Sequence, residues 1–437
     1  MELKEKLMSS YLAFEEQVDM ENDIHSERNK AIKFFESTGF PTKRMEAWKY
    51  TSLNSILKED YSIFPKKEDT IDYKDIKKYL IHDIDTYTIV FIDGIYSSHL
   101  SRTTHDKLDA CLMSSALNKS KYKSIMDKYF NKIVPEESMS SLNTAFAKEG
   151  AYIRIPKNVS AEKPIQILNF STGNESALMI QPRNLIIAED GSHVQIIERH
   201  QSLTDNPVLT NSVTEVYVGQ NAEVDYYKIQ NDKTTSSLID NTFIKQERDS
   251  TCSLHTFSLG GKITRNNLRF YQHGQNCNSI LKGVTILEGK QHVDHNTLVH
   301  HIEPNCESHQ DYKGIFSEKS VGVFNGSILV DRLAQKTNAF QSNNNILLDD
   351  GATCNSKPQL EIFADDVKCS HGCTIGQLNN EALYYLRTRG IPKKEARALL
   401  MFAFANKVLG SVKIPEIKKR ITKQIALKLE VELGFNL

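Results

Sequence analysis

Two thiols and an imidazole occupy alternate positions in one short stretch of the chain. The stretch runs from Asp365 to Gly376 and contains Cys369, His371 and Cys373. If it is extended, these three side chains share one face, because side chains in a strand alternate between faces. Thiolate sulfur and imidazole nitrogen are both ligands of transition-metal ions, so this group of side chains is a candidate metal site. The spacing is not a standard zinc-finger spacing, so a tight turn packed over small residues is the competing interpretation.

Strand-like sequence precedes this stretch from Gly150 onward. Short runs rich in Val, Ile, Tyr and Phe alternate there with turns rich in Gly, Asn and Asp. Six turns align as a weak repeat, most of them roughly 25–30 residues apart, which is typical of solenoids and propellers. Because neither helix-length crossovers nor propeller signatures occur, a parallel β-helix fits best. The turns are Gly191–His193, Gly219–Ala222, Asp249–Cys252, Gly274–Cys277, Pro304–Cys306 and Gly351–Cys354.

Most of the other cysteines are interpreted as structural. Four of them end the aligned turns, where a free cysteine can act as a small buried hydrophobe inside a stacked corner. Cys111 has no partner nearby in sequence, and only Cys369 and Cys373 lie where the coil pattern stops. The N-terminus carries no export signal, which favours reduced thiols. The four structural cysteines are Cys252, Cys277, Cys306 and Cys354.

Five histidines cluster in one segment and allow two interpretations. His292 and His300 would share a strand face with Asp294, which makes a metal site conceivable. Stacked polar ladders that neighbouring coils satisfy suit a β-helix as well, and this interpretation is favoured. The five are His292, His295, His300, His301 and His309.

Helical signals flank the strand-rich region on both sides. Residues 1 to about 37 read as helical, and Gly39 to Pro41 end that run because proline cannot continue a helix. Trp48 and Tyr50 follow and are predicted to anchor this helical cap on the next layer. A strand is expected at Thr86 to Ile92. The apolar face of the first helix is Leu3, Leu7, Tyr11 and Phe14.

Three helices are predicted after Gly376. The first begins at Asn379 or Asn380, the second at Pro392, and the third covers about 416–433. The predicted apolar stripe of the second helix is Ala396, Leu399, Leu400, Ala403 and Phe404. Together these patterns predict a mostly helical N-terminal domain at 1–149, a parallel β-helix core at 150–368 and a helical C-terminal domain at 369–437.

Composition and charge exclude two classes of partner. The chain has 437 residues with a formal net charge of -1, so no broad basic field attracts nucleic acid or anionic lipid. The longest apolar run, Ala398 to Ala405, is far shorter than the roughly 20 residues that span a bilayer. We therefore expect a cytoplasmic protein without nucleic-acid or membrane partners.

Three sequence blocks carry a resemblance to a known family. They are PTKRMEAWKYTSL at Pro41–Leu53, DYKG at Asp311–Gly314, and PQLEIFADDVKCSHGCTIG at Pro358–Gly376, which continues into Glu381–Gly390. On these blocks the chain resembles the SufD branch of the SufB/SufD family, the scaffold of SUF iron–sulfur cluster assembly. The resemblance covers nearly the whole chain and is weakest at 60–150.

The resemblance implies a right-handed parallel β-helix between helical domains, in a complex with SufB-like and SufC-like ATPase subunits. It implies a non-catalytic subunit, with a transient cluster built at the interface with the SufB-like subunit and the ATPase docked on the C-terminal helices. His371 matches the family histidine implicated in building the cluster, and Cys369 matches the neighbouring cysteine. Cys373 stands where the family often has alanine, so it is a third metal ligand or a space-filling residue.

Several features are left open by the sequence. The family allows a reduced flavin in the complex, although no motif here indicates one, and a homodimer in isolation is equally undetermined. A SufB-type scaffold that holds a cluster by itself is one alternative function. A β-helix enzyme acting on polysaccharides is the other.

Overall fold

A computed structural model describes residues 2–17, 24–64, 71–81, 84–103, 108–173 and 176–430. The α-helices in those ranges are α1 (Leu3–Gln17), α2 (His25–Thr38), α3 (Tyr73–Ile76), α4 (Met113–Asn118), α5 (Lys123–Tyr129), α6 (Ser138–Ala145), α7 (Asn380–Thr388), α8 (Lys393–Leu409) and α9 (Pro415–Lys428). Short 3-10 helices occur at Glu46–Trp48, Lys77–Tyr79 and Ser120–Tyr122. None of these described helices is long and apolar enough to cross a membrane.

The β-strands follow one another closely through the middle of the chain. They are β1 (Tyr87–Ile92), β2 (Ile95–Tyr96), β3 (Asp109–Leu112), β4 (Ala151–Ile155), β5 (Ile165–Ser171), β6 (Leu178–Ile180), β7 (Arg183–Ala188), β8 (His193–Ser202), β9 (Val208–Val218), β10 (Glu223–Gln230), β11 (Ser236–Gln246), β12 (Thr251–Ser258), β13 (Ile263–Gln272), β14 (Asn278–Leu287), β15 (His292–His301), β16 (Glu307–Phe316), β17 (Val321–Val330), β18 (Thr337–Leu347), β19 (Thr353–Ile362) and β20 (Val367–Gly376).

These strands form two sheets along one coiled path. Sheet 1 has the order β2-β1-β5-β8-β10-β12-β14-β16-β18-β20, and sheet 2 has the order β19-β17-β15-β13-β11-β9-β7-β4-β3, with β6 beside β9. From β7 onward successive strands alternate between the sheets, and stacked strands are parallel and in register. The protein is therefore mainly β, a parallel β-solenoid of about 8 turns with helices at both termini, as the sequence predicted.

The two ends of the solenoid differ. At the N-terminal end the sheets finish in antiparallel pairs, β2 against β1 and β3 against β4. At the C-terminal end β19 and β20 are the last strands of their sheets. Short edge strands such as β2 and β3, with two and four residues, expose few unpaired hydrogen-bonding groups, whereas β19 and β20 are ten residues long each. Among the described residues, the C-terminal end therefore has the longer uncovered strand edges.

Five of the six aligned turns form one corner of the coil, between sheet 2 and sheet 1. Four residues there have positive φ, between 55 and 63°, which Asn and Asp tolerate well. The sixth turn, at Gly351, lies at the opposite corner between β18 and β19, and Lys336 takes the equivalent place. Grouping Gly351 with the other turns was therefore wrong. The four residues are Asn221, Asp249, Asn276 and Asn305.

Strand register also separates the four cysteines that the repeat grouped. Cys277 and Cys306 are stacked at the corner, where the Cys277 amide donates to Cys306 Sγ at 3.4 Å. Cys252 lies one position further along, in register with Ser279, and Cys354 lies in sheet 2. The predicted equivalence thus holds only for Cys277 and Cys306. Cys252, Cys277 and Cys306 are buried, but Cys354 is only half-buried.

The N-terminal cap is anchored by Trp48. The guanidinium carbon of Arg265 lies 3.9 Å from the centre of the Trp48 ring, and Thr51 donates to Asp294 in the same network. Trp48 is 8% exposed, as expected of an anchor, whereas Tyr50 is 40% exposed, so the anchoring role predicted for Tyr50 was wrong. The predicted apolar face of α1 is buried at Leu3, Leu7, Tyr11 and Phe14.

The C-terminal helices lie beside sheet 1. Asn379 caps α7 by accepting from two backbone amides, and α9 buries Ile417, Ile421 and Ile425, so both predicted helices are confirmed. Residues 431–433 of the third predicted helix lie outside the described residues. Helix α8 buries Ala396 as predicted, but its other buried positions differ from the predicted stripe. Its buried positions are Ala396, Ala398, Met401, Ala405, Val408 and Leu409.

The predicted domain boundaries cut through the coil. The boundary between 368 and 369 falls inside β20, and the predicted N-terminal domain contributes β1 and β3 to the two sheets. Cys369 and His371 therefore belong to the last coil. The threefold division itself stays a prediction.

We expect Trp48→Ala to destabilise the protein by about 3–5 kcal/mol, because it empties a buried aromatic site and leaves the Arg265 cation without its ring. Tyr50→Ala is the matched control and should cost less than about 1 kcal/mol, since half-exposed positions contribute little. Urea unfolding followed by circular dichroism measures both. Equal destabilisation by the two variants would contradict the anchoring role of Trp48.

Candidate functional site

The three soft residues lie on the last strand of sheet 1. In β20, Cys369 is in register with Ala339, His371 with Gln341, and Cys373 with Asn343. Ala339, Gln341 and Asn343 are at most 3% exposed and face the interior of the coil. Cys369, His371 and Cys373 therefore share the inward face, as strand alternation predicted.

The inward face of β20 is nevertheless open. Cys369 is half-buried, and His371 and Cys373 are exposed, whereas their register partners one coil below are buried. The difference arises because no further coil in the described residues stacks on β20. The interior of the last coil thus becomes a surface.

Strand β19 supplies the opposite wall of this opening. The Ser356 hydroxyl donates to Asn343 Oδ1 at 2.7 Å, and Leu360 packs in the same apolar cluster as Cys369. Cys354 packs beside Phe316 in a second apolar cluster. We call this surface the mouth. It consists of Cys354, Ser356, Leu360, Cys369, His371 and Cys373.

Cys354 is the site residue that sequence reasoning missed. It was interpreted as a structural corner residue, but it is half-buried at the rim of the uncapped coil. The one signal was the long interval before the Gly351 turn, which places Cys354 in sheet 2 and opposite β20. The stacking of the coils places Cys354 of β19 opposite β20. The sequence immediately around Cys354 does not indicate this neighbour.

Burial raises the pKa of two of the mouth thiols. It raises the pKa of Cys354 to about 12, and the neighbouring Cys373 adds to that rise. Burial also raises the pKa of Cys369, against a smaller opposing effect of a hydrogen bond with the Ala339 backbone. Metal ligands must be deprotonated, so a soft metal ion that binds here has to displace these protons.

The mouth does not form a closed metal cage by itself. Among the described residues, the group of three whose ligand atoms lie within 4.8 Å of one another is His193, Glu223 and Asp225. The Lys413 ammonium lies 2.9 Å from Asp225 Oδ1 and also pairs with Glu223, so this group already holds a cation. It anchors the loop between α8 and α9 to the solenoid.

The five clustered histidines form polar contacts with separate partners. His295 bonds to Thr285 at 2.9 Å, His301 to Ser308 at 2.9 Å, and His292 to Thr51 at 2.9 Å. The remaining two lie elsewhere: His300 pairs with Asp331, and His309 stacks on Phe340. The five imidazoles therefore have separate partners, and no three of them converge on one point in the described residues, which argues against a shared metal site.

Exposed apolar side chains surround the mouth. Ile375 is 45% exposed and Phe363 is 63% exposed, and helix α7 buries none of its residues. A concentration of exposed aromatic and aliphatic groups marks an interaction surface. The fold and the mouth together define a β-solenoid whose uncovered, apolar end displays three thiols and one imidazole, side chains with the donor chemistry of soft metal ligands.

Comparisons with known proteins agree with that class. The family model described as SUF system FeS cluster assembly, SufBD core domain, matches residues 170–404, and the SufBD protein N-terminal region matches 1–167. The chain belongs to the SufBD family of iron–sulfur cluster assembly proteins.

Individual relatives cover most of the chain. A SufBD family protein of iron–sulfur cluster assembly from Synechocystis is 32% identical over 413 residues, 92% of this chain and 90% of its own length. The iron–sulfur cluster assembly protein SufD of Escherichia coli is 28% identical over 90% of each chain. SufD of Bacillus subtilis is 29% identical over 76% of this chain and 77% of its own.

We expect thiol reactivity to follow the geometry of the mouth. Iodoacetamide should modify Cys373 first and the half-buried Cys369 and Cys354 more slowly, because the thiolate is the reactive form and burial raises their pKa values. Cys252 and Cys277 are the internal controls and should react only after unfolding. Peptide mass spectrometry of the native and denatured chain measures the order. Modification of native Cys252 as fast as Cys373 would contradict the open mouth.

Proposed function

We propose that this chain is a non-catalytic scaffold subunit of the SufD type, which builds a transient iron–sulfur cluster together with a SufB-like subunit. The observation that carries this proposal is the exposure of His371 and the partial exposure of Cys369 on an uncapped coil. A partner chain can reach both side chains there without unfolding the solenoid. The cluster is cargo at this site, because a scaffold must release what it builds.

The ligand count supports a shared site. Iron–sulfur clusters usually take four thiolate ligands, with imidazole as an occasional substitute. The residues assigned to cluster assembly are His371 and Cys369, with Cys373 as a further ligand, and together they fall short of four. A partner that supplies the missing ligand would hold the cluster weakly enough for transfer.

The edges of the last coil are suited to pairing with a homologous solenoid. Strands β19 and β20 end their sheets, and a Cβ placed on Gly372 or Gly376 would meet no atom within 4 Å. Uncovered edges add strands from another chain readily, and main-chain hydrogen bonds then supply affinity. The apolar groups around the mouth would be buried in the same interface. A homodimer through this end is the expected assembly when the partner is missing.

The C-terminal helices are proposed to receive a SufC-like ATPase. Helix α8 packs on sheet 1 through Ala398, Met401 and Ala405, which leaves Leu399 and Leu400 half-buried and Ala403 exposed. The latter three residues belong to the apolar stripe that periodicity identified, whereas Ala396 and Phe404 of that stripe pack within this chain. ATP-driven movement of the ATPase would reach the mouth through α7, which directly follows β20.

The proposal also assigns the nucleotide, the flavin and the cellular compartment. Nucleotide hydrolysis is assigned to the ATPase, and any reduced flavin is assigned to the complex instead of to this chain. The working compartment is taken to be the cytoplasm.

We expect His371→Ala to reduce cluster assembly strongly, because it removes the exposed imidazole that is assigned to the shared cluster. Ser370→Ala is the matched control, since Ser370 lies on the same strand with its side chain on the opposite face. Both variants replace the native gene, and the activity of iron–sulfur enzymes in extracts is the readout, with co-purification as a check on complex formation. Unchanged cluster assembly in His371→Ala cells would refute the site assignment.

Docking of the ATPase is tested separately. Ala403→Arg should remove the ATPase from the co-purified complex by about tenfold or more, because an interface core disfavours an unpaired charge. Ala403→Ser is the control and should retain the ATPase, and the SufB-like subunit should remain with both variants. Retention of the ATPase by Ala403→Arg would place its docking surface elsewhere.

A further inference from the structure

Cys354 and Cys373 face the same part of the mouth from opposite walls. Cys354 is the second residue of β19, and Cys373 lies in the second half of β20. The coil reverses between the sheets, so the beginning of β19 lies beside the end of the neighbouring sheet 1 strand. The turn between β18 and β19 is short, which keeps these ends close.

A side-chain contact documents this approach of the two walls. Ser356 shares the inward face of β19 with Cys354, and its hydroxyl bonds to Asn343 Oδ1 at 2.7 Å. Asn343 is the register partner of Cys373 one coil below. The β19 wall is therefore within hydrogen-bonding reach of sheet 1 at the strand position of Cys373, one coil below it.

The electrostatics of the thiols agrees with this placement. Burial raises the pKa of the Cys354 thiol to about 12, and the nearby Cys373 adds a smaller rise. Both thiols are free, and Cys373 is exposed while Cys354 is half-buried. A ligand that enters through the mouth can therefore reach both sulfur atoms.

We propose that Cys354 and Cys373 form a two-thiolate site for a soft divalent metal ion, with His371 beside them on the same face as Cys373. The two thiolates leave two positions of a tetrahedral ion for outside ligands, because the ligand atoms of His371 and the two thiols do not all converge in the described residues. The apolar neighbours of Cys354, which include Leu287 and Phe316, exclude water from one side of the site. The site lies at the opposite end of the mouth from Cys369, which packs near Leu360.

This inference adds a ligand to the proposed cluster-building surface and rests on that function for its biological use. The mouth then offers four soft side chains from one chain, at two ends of one opening. His371 lies between Cys369 and Cys373 on β20, so its imidazole faces the same opening as both ends of the mouth. Iron delivered to Cys354 and Cys373 would lie within one strand length of the position assigned to the cluster.

Cobalt(II) binding by the purified full-length chain, under anaerobic conditions, tests the site. Wild-type protein should bind one equivalent with a sulfur-to-cobalt charge-transfer absorption. Cys354→Ser and Cys373→Ser should each weaken binding by about tenfold or more and remove roughly half of that absorption, since each deletes one of two thiolates. Cys111→Ser is the matched control, because Cys111 is also half-buried but lies in β3.

Two outcomes would overturn the proposal. One is wild-type affinity and absorption in Cys354→Ser, and the other is the absence of thiolate absorption in the wild type. If Cys354→Ser fails to fold, dibromobimane applied to the wild-type chain decides instead, because it fluoresces when it bridges two neighbouring thiols. A bridged peptide pair containing Cys354 and Cys373 supports the site, and its absence refutes it. Normal cluster assembly in His371→Ala cells would refute the proposed function while leaving this metal-binding result unchanged.

Discussion

Stacking of parallel coils is the constraint on which this structure depends. Each strand satisfies its backbone hydrogen bonds only by pairing with the coil before it and the coil after it. At the N-terminal end the sheets finish in the short antiparallel strands β2 and β3, of two and four residues, so few backbone groups are left unpaired there. The C-terminal end has a longer uncovered edge among the described residues, since the ten-residue β20 is the last strand of sheet 1. The uncovered edge of β20 and the exposure of His371 and Cys373 thus have one physical origin.

The same constraint explains why the interior tolerates charge. Lys228 Nζ lies 2.7 Å from Asp240 and 3.1 Å from Glu198, and all three side chains are at most 2% exposed. Buried charges are tolerated when they are paired and hydrogen-bonded, and stacked coils place such partners at fixed separations. At the mouth this arrangement stops. The inward-facing residues of β20 have neighbours in the coil of β18, but no further described coil covers them. Their side-chain nitrogen and sulfur atoms therefore face the opening.

The C-terminal helices leave the mouth uncovered because they pack on the side of the solenoid. Helices α8 and α9 join an apolar cluster with sheet 1, and Lys413 and Ser411 fix the loop between them to Asp225 and His255. Helix α7 connects that lateral bundle to β20 and buries none of its residues. A movement imposed on the bundle would therefore act on the strand that carries His371 before it acts on the rest of the coil.

The sequence by itself determined the features that depend on local periodicity: the parallel coil, the helical ends, and the shared face of Cys369, His371 and Cys373. Strand alternation and capping residues act over a few positions, so they can be identified without a partner segment. Only the tertiary structure decided that Gly351 turns at the other corner, that Cys354 opens into the mouth, and that α8 buries Ala398 and Met401. These features depend on which coil or sheet lies against each residue, and stacking sets that across hundreds of residues. The local sequence pattern carries no information about whether a further coil covers a strand. The presence or absence of that further coil is the reason why Asn343 is buried and Cys373 is exposed.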